Sequence, residues 1–220
     1  MTIKKGEDWG SAGPLDPDAP VVSTDRQVAE LFTIATPESG APTLDGPQQL
    51  GLSMPAAQSD ASNPAHHDLG RTVSARATVA ELRSGNRPQL PIDLAIVTID
   101  DVDVVMAASL VIRRPLWMGV VEAAMNASFY GEWNVSPSGH PNDGRLDIIR
   151  AELSAGDRWK ARSRLASGAH LPHPDISVRR LKKHQFDVDG RATVRIDGQD
   201  FGHASSVSVV VVPDATTIVI

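Results

Sequence analysis

Cysteine is absent from the 220 residues. That removes disulfides and thiolate metal centres, and with them any mark of an oxidising compartment, so the cytoplasm is the expected location. Aromatic residues make up only 4% of the chain, which leaves few large anchors, and Trp117, Trp133 and Trp159 are read as core or interface positions. No apolar run reaches membrane-spanning length, and the basic N-terminus has no apolar stretch behind it. Neither a spanning helix nor a secretory signal is expected, and any membrane contact must be peripheral. Positive charge is in the minority, 21 Lys+Arg against 27 Asp+Glu for a net charge of −6, which gives nucleic-acid binding no electrostatic support.

What is present divides the chain in three. Residues 1–20 are rich in Gly, Pro and Asp with little to bury, and read as an extended arm or disordered tail. Residues 21–87 read as a small α/β unit. Val21-Val22 is a strand end, Thr24 with Gln27 three residues on has capping-box spacing, and Val28, Leu31 and Phe32 recur at helical spacing. A loop rich in Ser, Pro, Ala, Asn and Asp ends at His66-His67-Asp68, and a helix is expected over 74–84, ended by Gly85. Residues 88–220 have a β texture: Ile92, Leu94 and Ile96 alternate with Asp93 and Ala95, 104–112 reads as one buried strand, and short strands recur at 120–125, 146–153, 176–181, 185–188, 193–196, 207–212 and 217–220. A basic amphipathic helix is expected over 159–165. Short strands separated by Gly, Pro and Asp turns indicate a β-sandwich, so the fold class is α+β, a partial α/β unit followed by a sandwich.

The densest stretch is residues 131–147, where strand-like ends flank a loop of turn formers that can aim carbonyls and the Asp143 carboxylate at one point, as a hard cation requires. A plain hairpin turn is the alternative. Met125-Asn126-Ala127-Ser128-Phe129-Tyr130-Gly131, then Val135-x-Pro137 and Pro141-Asn142-Asp143-Gly144-Arg145-Leu146-Asp147, resembles the bacterial diacylglycerol and lipid kinase family, relatives of the NAD kinases. Gly168-Ala169-His170, a basic stretch and Ile196-Asp197-Gly198-Gln199 follow in that family's order, and the resemblance covers roughly the last 130 residues.

The resemblance implies several roles. Asp143, with the main chain of His140 and Arg145, would hold Mg²⁺; Asp197 would take the proton from a lipid hydroxyl. Gln199 stands where the family has Glu, and an amide neither holds negative charge nor accepts a proton at neutral pH. The family's Gly-Gly-Asp-Gly-Thr phosphate loop is similar here to Ser23-Thr24-Asp25-Arg26-Gln27, in which only Asp25 survives, and the second nucleotide loop leaves Asp68 and Arg71 as remnants. A Cβ obstructs the close approach of phosphate oxygens to the main chain, so ATP binding is expected to be damaged. The strand-helix units that precede that loop in the family have no counterpart in residues 1–20. The truncated sheet then needs a cover, from the arm or from a partner in a homodimer or heteromer.

These features point to a degenerate lipid-kinase-like protein, a module that binds a lipid or a nucleotide, with weak or no phosphoryl transfer. The alternatives are an active ATP- and Mg²⁺-dependent lipid kinase, completed by a partner subunit, and a structural or regulatory subunit. His170, His173, Arg179, Arg180, Lys182, Lys183 and His184 concentrate positive charge, either as a phosphate or headgroup patch or as one solvated strand face. His66-His67 and His170-x-x-His173 are weak metal signals without cysteines or a helical His-Glu-x-x-His frame.

Overall fold

The computed structural model of the chain describes residues 10–35, 42–53, 68–188 and 192–220, and His66 and His67 lie outside them. Among the described residues four short α-helices start where side chains satisfy their first amides. Thr24 and Gln27 form the expected capping box of α1 (Asp25–Glu30). The five-residue α2 (Asp68–Thr72) follows. Thr78 and Glu81 form a second capping box, so α3 (Val79–Ser84) is shorter than the expected 74–84: the cap fixes its start, and Ser74 has a left-handed φ of 58°. Ser154 caps α4 (Ala155–Leu165), one turn earlier than the charge pattern suggests.

Two sheets enclose the main core. One has seven strands. Its path runs Ser11–Gly13, Arg87–Ile99, Val207–Val219, Gln49–Leu52, Val21–Val22, with Val102–Met106 added to Arg87–Ile99 and Lys183–Phe186 added to Val207–Val219. The other, of six strands, runs Ile176–Leu181, Leu146–Ala151, Val121–Met125, Ser109–Arg113, Thr193–Ile196, Gln199–His203. Val97, Met106, Leu110, Leu146, Val194 and Val207 are buried in one core cluster, while Val28, Phe32, Leu50, Leu69, Leu94 and Ile218 form another around α1 and α2. The result is the expected α+β class, a partial α/β unit and a β-sandwich.

The two parts share one continuous sheet. Arg87–Ile99 and Val207–Val219 are 13-residue strands paired antiparallel, and Val207–Val219 also pairs in parallel with Gln49–Leu52. A register irregularity between Val212 and Thr216, with Asp214 at φ 50°, joins what the sequence shows as two strands. The arm supplies a cover: Ser11–Gly13 pairs with residues 87–89, and Leu15 and Ala19 are buried.

Two expectations change. The alternation around Asp93 does not mark a half-exposed strand, because residues 92–97 are all buried. The stretch 104–112 is two strands, breaking at Ala107-Ala108 where the chain leaves one sheet for the other. Among the described residues no helix is long and apolar enough to cross a membrane.

Candidate functional site

The turn after Val21–Val22 uses its own side chains where a phosphate loop would use open backbone. Gln27 Oε1 accepts the N–H groups of Ser23 and Thr24 at 2.9 and 3.2 Å, and Thr24 Oγ1 accepts the N–H of Gln27 at 3.1 Å. These donors are no longer available to an anion. Asp25 points inward, fully buried, and its two oxygens accept the N–H groups of Asp68 and Leu69 at 2.7 and 3.1 Å. The residues present here therefore do not fit the phosphates of ATP.

Asp68, also buried, passes the connection on. Its carboxylate accepts the Gly131 N–H at 2.7 Å, and Arg71 donates to the Gly131 carbonyl at 3.0 Å and to Glu132 at 2.8 Å while its guanidinium lies 4.5 Å over Phe129. The third carboxylate comes from the far end of the chain. Asp197, in the turn between Thr193–Ile196 and Gln199–His203, accepts N–H groups from Ala107, Ala108 and Ser109 at 2.7, 2.8 and 2.9 Å. The sheet-switching break at 107–108 thus leaves amides that a buried carboxylate fills.

Asp25, Asp68 and Asp197 lie within one another's electrostatic reach. Burial pushes Asp25 well above the usual carboxylate range, with Asp68 and then Asp197 adding to it and the two amides opposing. Burial raises Asp197 to about 6 against its three amide donors. Asp197 also borders a cavity of about 520 Å³ with Arg26, Glu30, Asp103, Gln199 and Phe201. A carboxylate offers about four lone-pair sites, three of which are taken by amides, so Asp197 retains limited capacity to accept a proton at neutral pH. Gln199 is exposed beside it.

The loop at Asp143 is built differently from a hairpin. Trp133–Asn134 pairs with Phe129–Tyr130, and Leu146–Ala151 pairs with Val121–Met125 and Ile176–Leu181, so the flanks do not meet each other. Asp93 holds the loop in place: its oxygens accept the N–H groups of Gly144 at 2.7 Å and Asp214 at 2.9 Å, and burial raises its pKa to about 6. Asp143 accepts the Arg145 N–H at 2.9 Å and contacts Arg180, which also reaches the buried Asp147 at 3.2 Å. His140 accepts the Asn142 N–H at 3.2 Å, and burial lowers its pKa against the pull of Asp143 and Asp93. With a guanidinium on one oxygen and an amide on the other, Asp143 as arranged does not fit a Mg²⁺ ion unless Arg180 withdraws.

The positively charged residues do not form one patch. Arg180 serves Asp143 and Asp147, and Lys183 and His184 pair onto the other sheet. His173 lies with Asp157 and Asp175, their ligand atoms within 4.8 Å, but Ser154 and Lys160 already hold Asp157. His170 is buried at 6% exposure, with Nε2 3.2 Å from the Val135 carbonyl and Nδ1 without a hydrogen-bond partner among the described residues. Burial lowers its pKa, so the ring is neutral and Nδ1 is a bare acceptor.

His170 borders a second cavity, of about 400 Å³, between α4 and the six-stranded sheet, with Val111, Ala123, Ile149, Ala161 and Leu165 among its walls. Sequence reasoning did not find it. Its walls come from segments far apart in the chain, from Val111 to Ile176, and the one available signal was a histidine grouped with the wrong neighbours.

Residues 90–220 match the family described as YegS C-terminal NAD kinase beta sandwich-like domain. Two solved structures of a protein assigned as a diacylglycerol kinase from Bacillus anthracis str. Sterne align with TM-score 0.54 and 12% identity, covering 77% of this chain and 69% of theirs. A third, of a diacylglycerol kinase from the same organism, aligns with TM-score 0.50 and 13% identity over 77% of this chain and 66% of that one. At such identity the likeness concerns the fold. No curated protein sequence matches the chain.

Proposed function

The chain belongs to the YegS C-terminal NAD kinase beta sandwich-like family, and from that premise we propose that it is a lipid-binding relative of the lipid kinases that transfers no phosphate by itself. The observation that carries this reading is the turn before α1, where Gln27 and Thr24 take the amides a phosphate would need. Phosphoryl transfer requires held phosphates, a placed metal and a positioned base together. Asp197 survives as a base candidate, but the groups that would hold phosphates and Mg²⁺ are engaged elsewhere.

Lipid binding is supported by the 400 Å³ cavity, whose walls are mostly apolar and whose unpartnered His170 Nδ1 accepts a hydrogen bond from a hydroxyl. Burying an acyl chain there removes apolar surface from water on both sides, and the hydroxyl satisfies an acceptor that otherwise stays unpaired.

One observation favours a second reading, a kinase completed by a partner subunit: the ionisable Asp197 borders a cavity large enough for a substrate. Calorimetric titration with Mg-ATP, alongside uptake of a fluorescent hydroxy fatty acid, separates the two. The proposal expects no ATP binding and probe uptake that His170→Leu weakens. Steady conversion of ATP and diacylglycerol to a phosphorylated lipid by the isolated chain, abolished by Asp197→Asn, would overturn it.

A further inference from the structure

Three of the large apolar side chains on the surface sit together around one cavity. Leu116 is 87% exposed, Met118 59% and Trp159 76%. All three also line the cavity beneath α4, so the exposed patch and the interior pocket are one continuous apolar surface. We propose that this patch is a membrane-docking face, which seats the mouth of the cavity on an anionic lipid bilayer. What passes through the mouth rests on the lipid-binding reading above, whereas docking itself can be measured separately.

The patch is held rigidly. Arg158 of α4 donates to the carbonyls of Leu153, Trp117 and Gly119 at 2.8, 2.5 and 2.9 Å, fastening the helix to the loop 115–119. Trp117 turns inward, edge-on to Tyr130 and Trp133 with centroids 6.4 and 5.5 Å away, and Arg113 lies 4.6 Å over its ring. With Trp117 anchored, its neighbours Leu116 and Met118 are left outward. The backbone is strained to do this: Leu116 and Trp117 have consecutive φ values of 54° and 59°, a left-handed pair that bulky side chains adopt only when the surroundings enforce it. A loop that holds a leucine almost wholly in water, against its backbone preference and against the hydrophobic effect, has an apolar partner to meet.

Charge selects the partner. The chain carries a net −6, yet α4 carries exposed Lys160, Arg162 and Arg164 as well as Trp159, with the Arg162 guanidinium 5.1 Å over the Trp133 ring at the cavity wall. Lys160 is paired with Asp157 at 3.1 Å, while among the described residues no carboxylate lies in ion-pair distance of Arg162 or Arg164. A second copy of the chain docked through the same face would bring a second set of these cations into the shared interface, which like-charge repulsion disfavours. An anionic bilayer accepts both features at once: cations at the phosphate level, the tryptophan at the interface, and Leu116 and Met118 among the acyl chains.

The test is co-sedimentation of the full chain with vesicles of phosphatidylcholine alone or mixed with phosphatidylglycerol, with uptake of a fluorescent fatty acid from solution measured in parallel. Binding is expected to the mixed vesicles and to weaken with added salt. Leu116→Ser, Met118→Ser and Trp159→Ser combined should lower vesicle partitioning about tenfold or more. Lys160→Glu with Arg164→Glu should abolish the preference for phosphatidylglycerol and leave fatty-acid uptake unchanged, since neither side chain borders the cavity. Unaltered partitioning of the triple variant, with its folded circular-dichroism spectrum intact, overturns the inference. So does a triple variant whose only change is conversion of a dimer to a monomer, which would mark the patch as a self-association surface. Fatty-acid uptake without vesicle binding defeats the docking face and leaves the lipid-binding reading standing; vesicle binding without uptake does the reverse.

Discussion

Asp25 and Asp68, 43 positions apart, are joined by a 2.7 Å hydrogen bond in which the backbone N–H of Asp68 donates to the carboxylate of Asp25. Both residues are fully buried, and the second Asp25 oxygen takes the N–H of Leu69. A residue that resembles part of a nucleotide loop is here an internal fastening between two helix starts.

Asp25→Ala leaves two buried N–H groups without an acceptor and a small void. Each orphaned donor costs about 1–3 kcal/mol, less the relief from removing a carboxylate that repels Asp68 and Asp197. Net destabilisation of about 2 kcal/mol or more is expected, read as a lower urea midpoint. An unchanged midpoint would mean the fastening carries no weight.

The capping box of α1 makes a smaller claim. Thr24→Ala should cost about 1 kcal/mol, the ordinary cost of losing an N-cap side chain. Gln27→Ala should lose a comparable amount, because Gln27 Oε1 serves two amides. The same urea titration reads both, and a stabilised Thr24→Ala would contradict the geometry.

Asp197 and Asp93, each raised to about 6 in the fold, make stability depend on pH in a defined direction. Their unfolded values lie near 4, so between pH 4 and 6 the folded chain holds protons that the unfolded chain has released. This contribution is fully present below about pH 4 and is lost as pH rises through about 6. The size is on the order of a few kcal/mol per carboxylate. Asp197→Asn should flatten that part of the profile, and the wild-type-minus-variant difference in unfolding free energy should fall from pH 4 to pH 7. A difference that grows instead would refute the assignment.

Arg180 bridges Asp143 and the buried Asp147. Arg180→Ala strands the Asp147 charge with Ser136 as its neighbour, which should cost about 3 kcal/mol. Asp143→Ala, where the partner can turn to solvent, should cost about 1 kcal/mol or less. Millimolar Mg²⁺ should leave the wild-type Tm unchanged, and a Mg²⁺-dependent rise would show that the ion displaces the guanidinium.

Much of this was open to reading in one dimension. The capping box of α1, the β texture after residue 88, the strands Ile176–Leu181 and Thr193–Ile196 and the family resemblance all rest on spacing between near neighbours, and local geometry follows local spacing. Asp93 misled for the same reason. Alternation assumes that one face of a strand is wet, and this strand is enclosed on both. The break at Ala107-Ala108 carries no glycine or proline to announce it. It exists because two sheets compete for one strand, and Asp197, 89 residues away from Ala108, satisfies the amides that result.

By itself the sequence determined the fold class and placed Asp25, Asp68, Arg71, Asp143 and Asp197 in stretches that resemble lipid-kinase motifs, since residue identity and short-range spacing suffice for these. Only the tertiary structure decided which groups these side chains meet. Whether a carboxylate is a base, a metal ligand or a fastening depends on which amides and guanidinium groups come to rest against it. The cavity at His170 and the exposed trio above it were likewise beyond the sequence, because a pocket is an arrangement of distant segments and no single stretch of chain encodes the space between them.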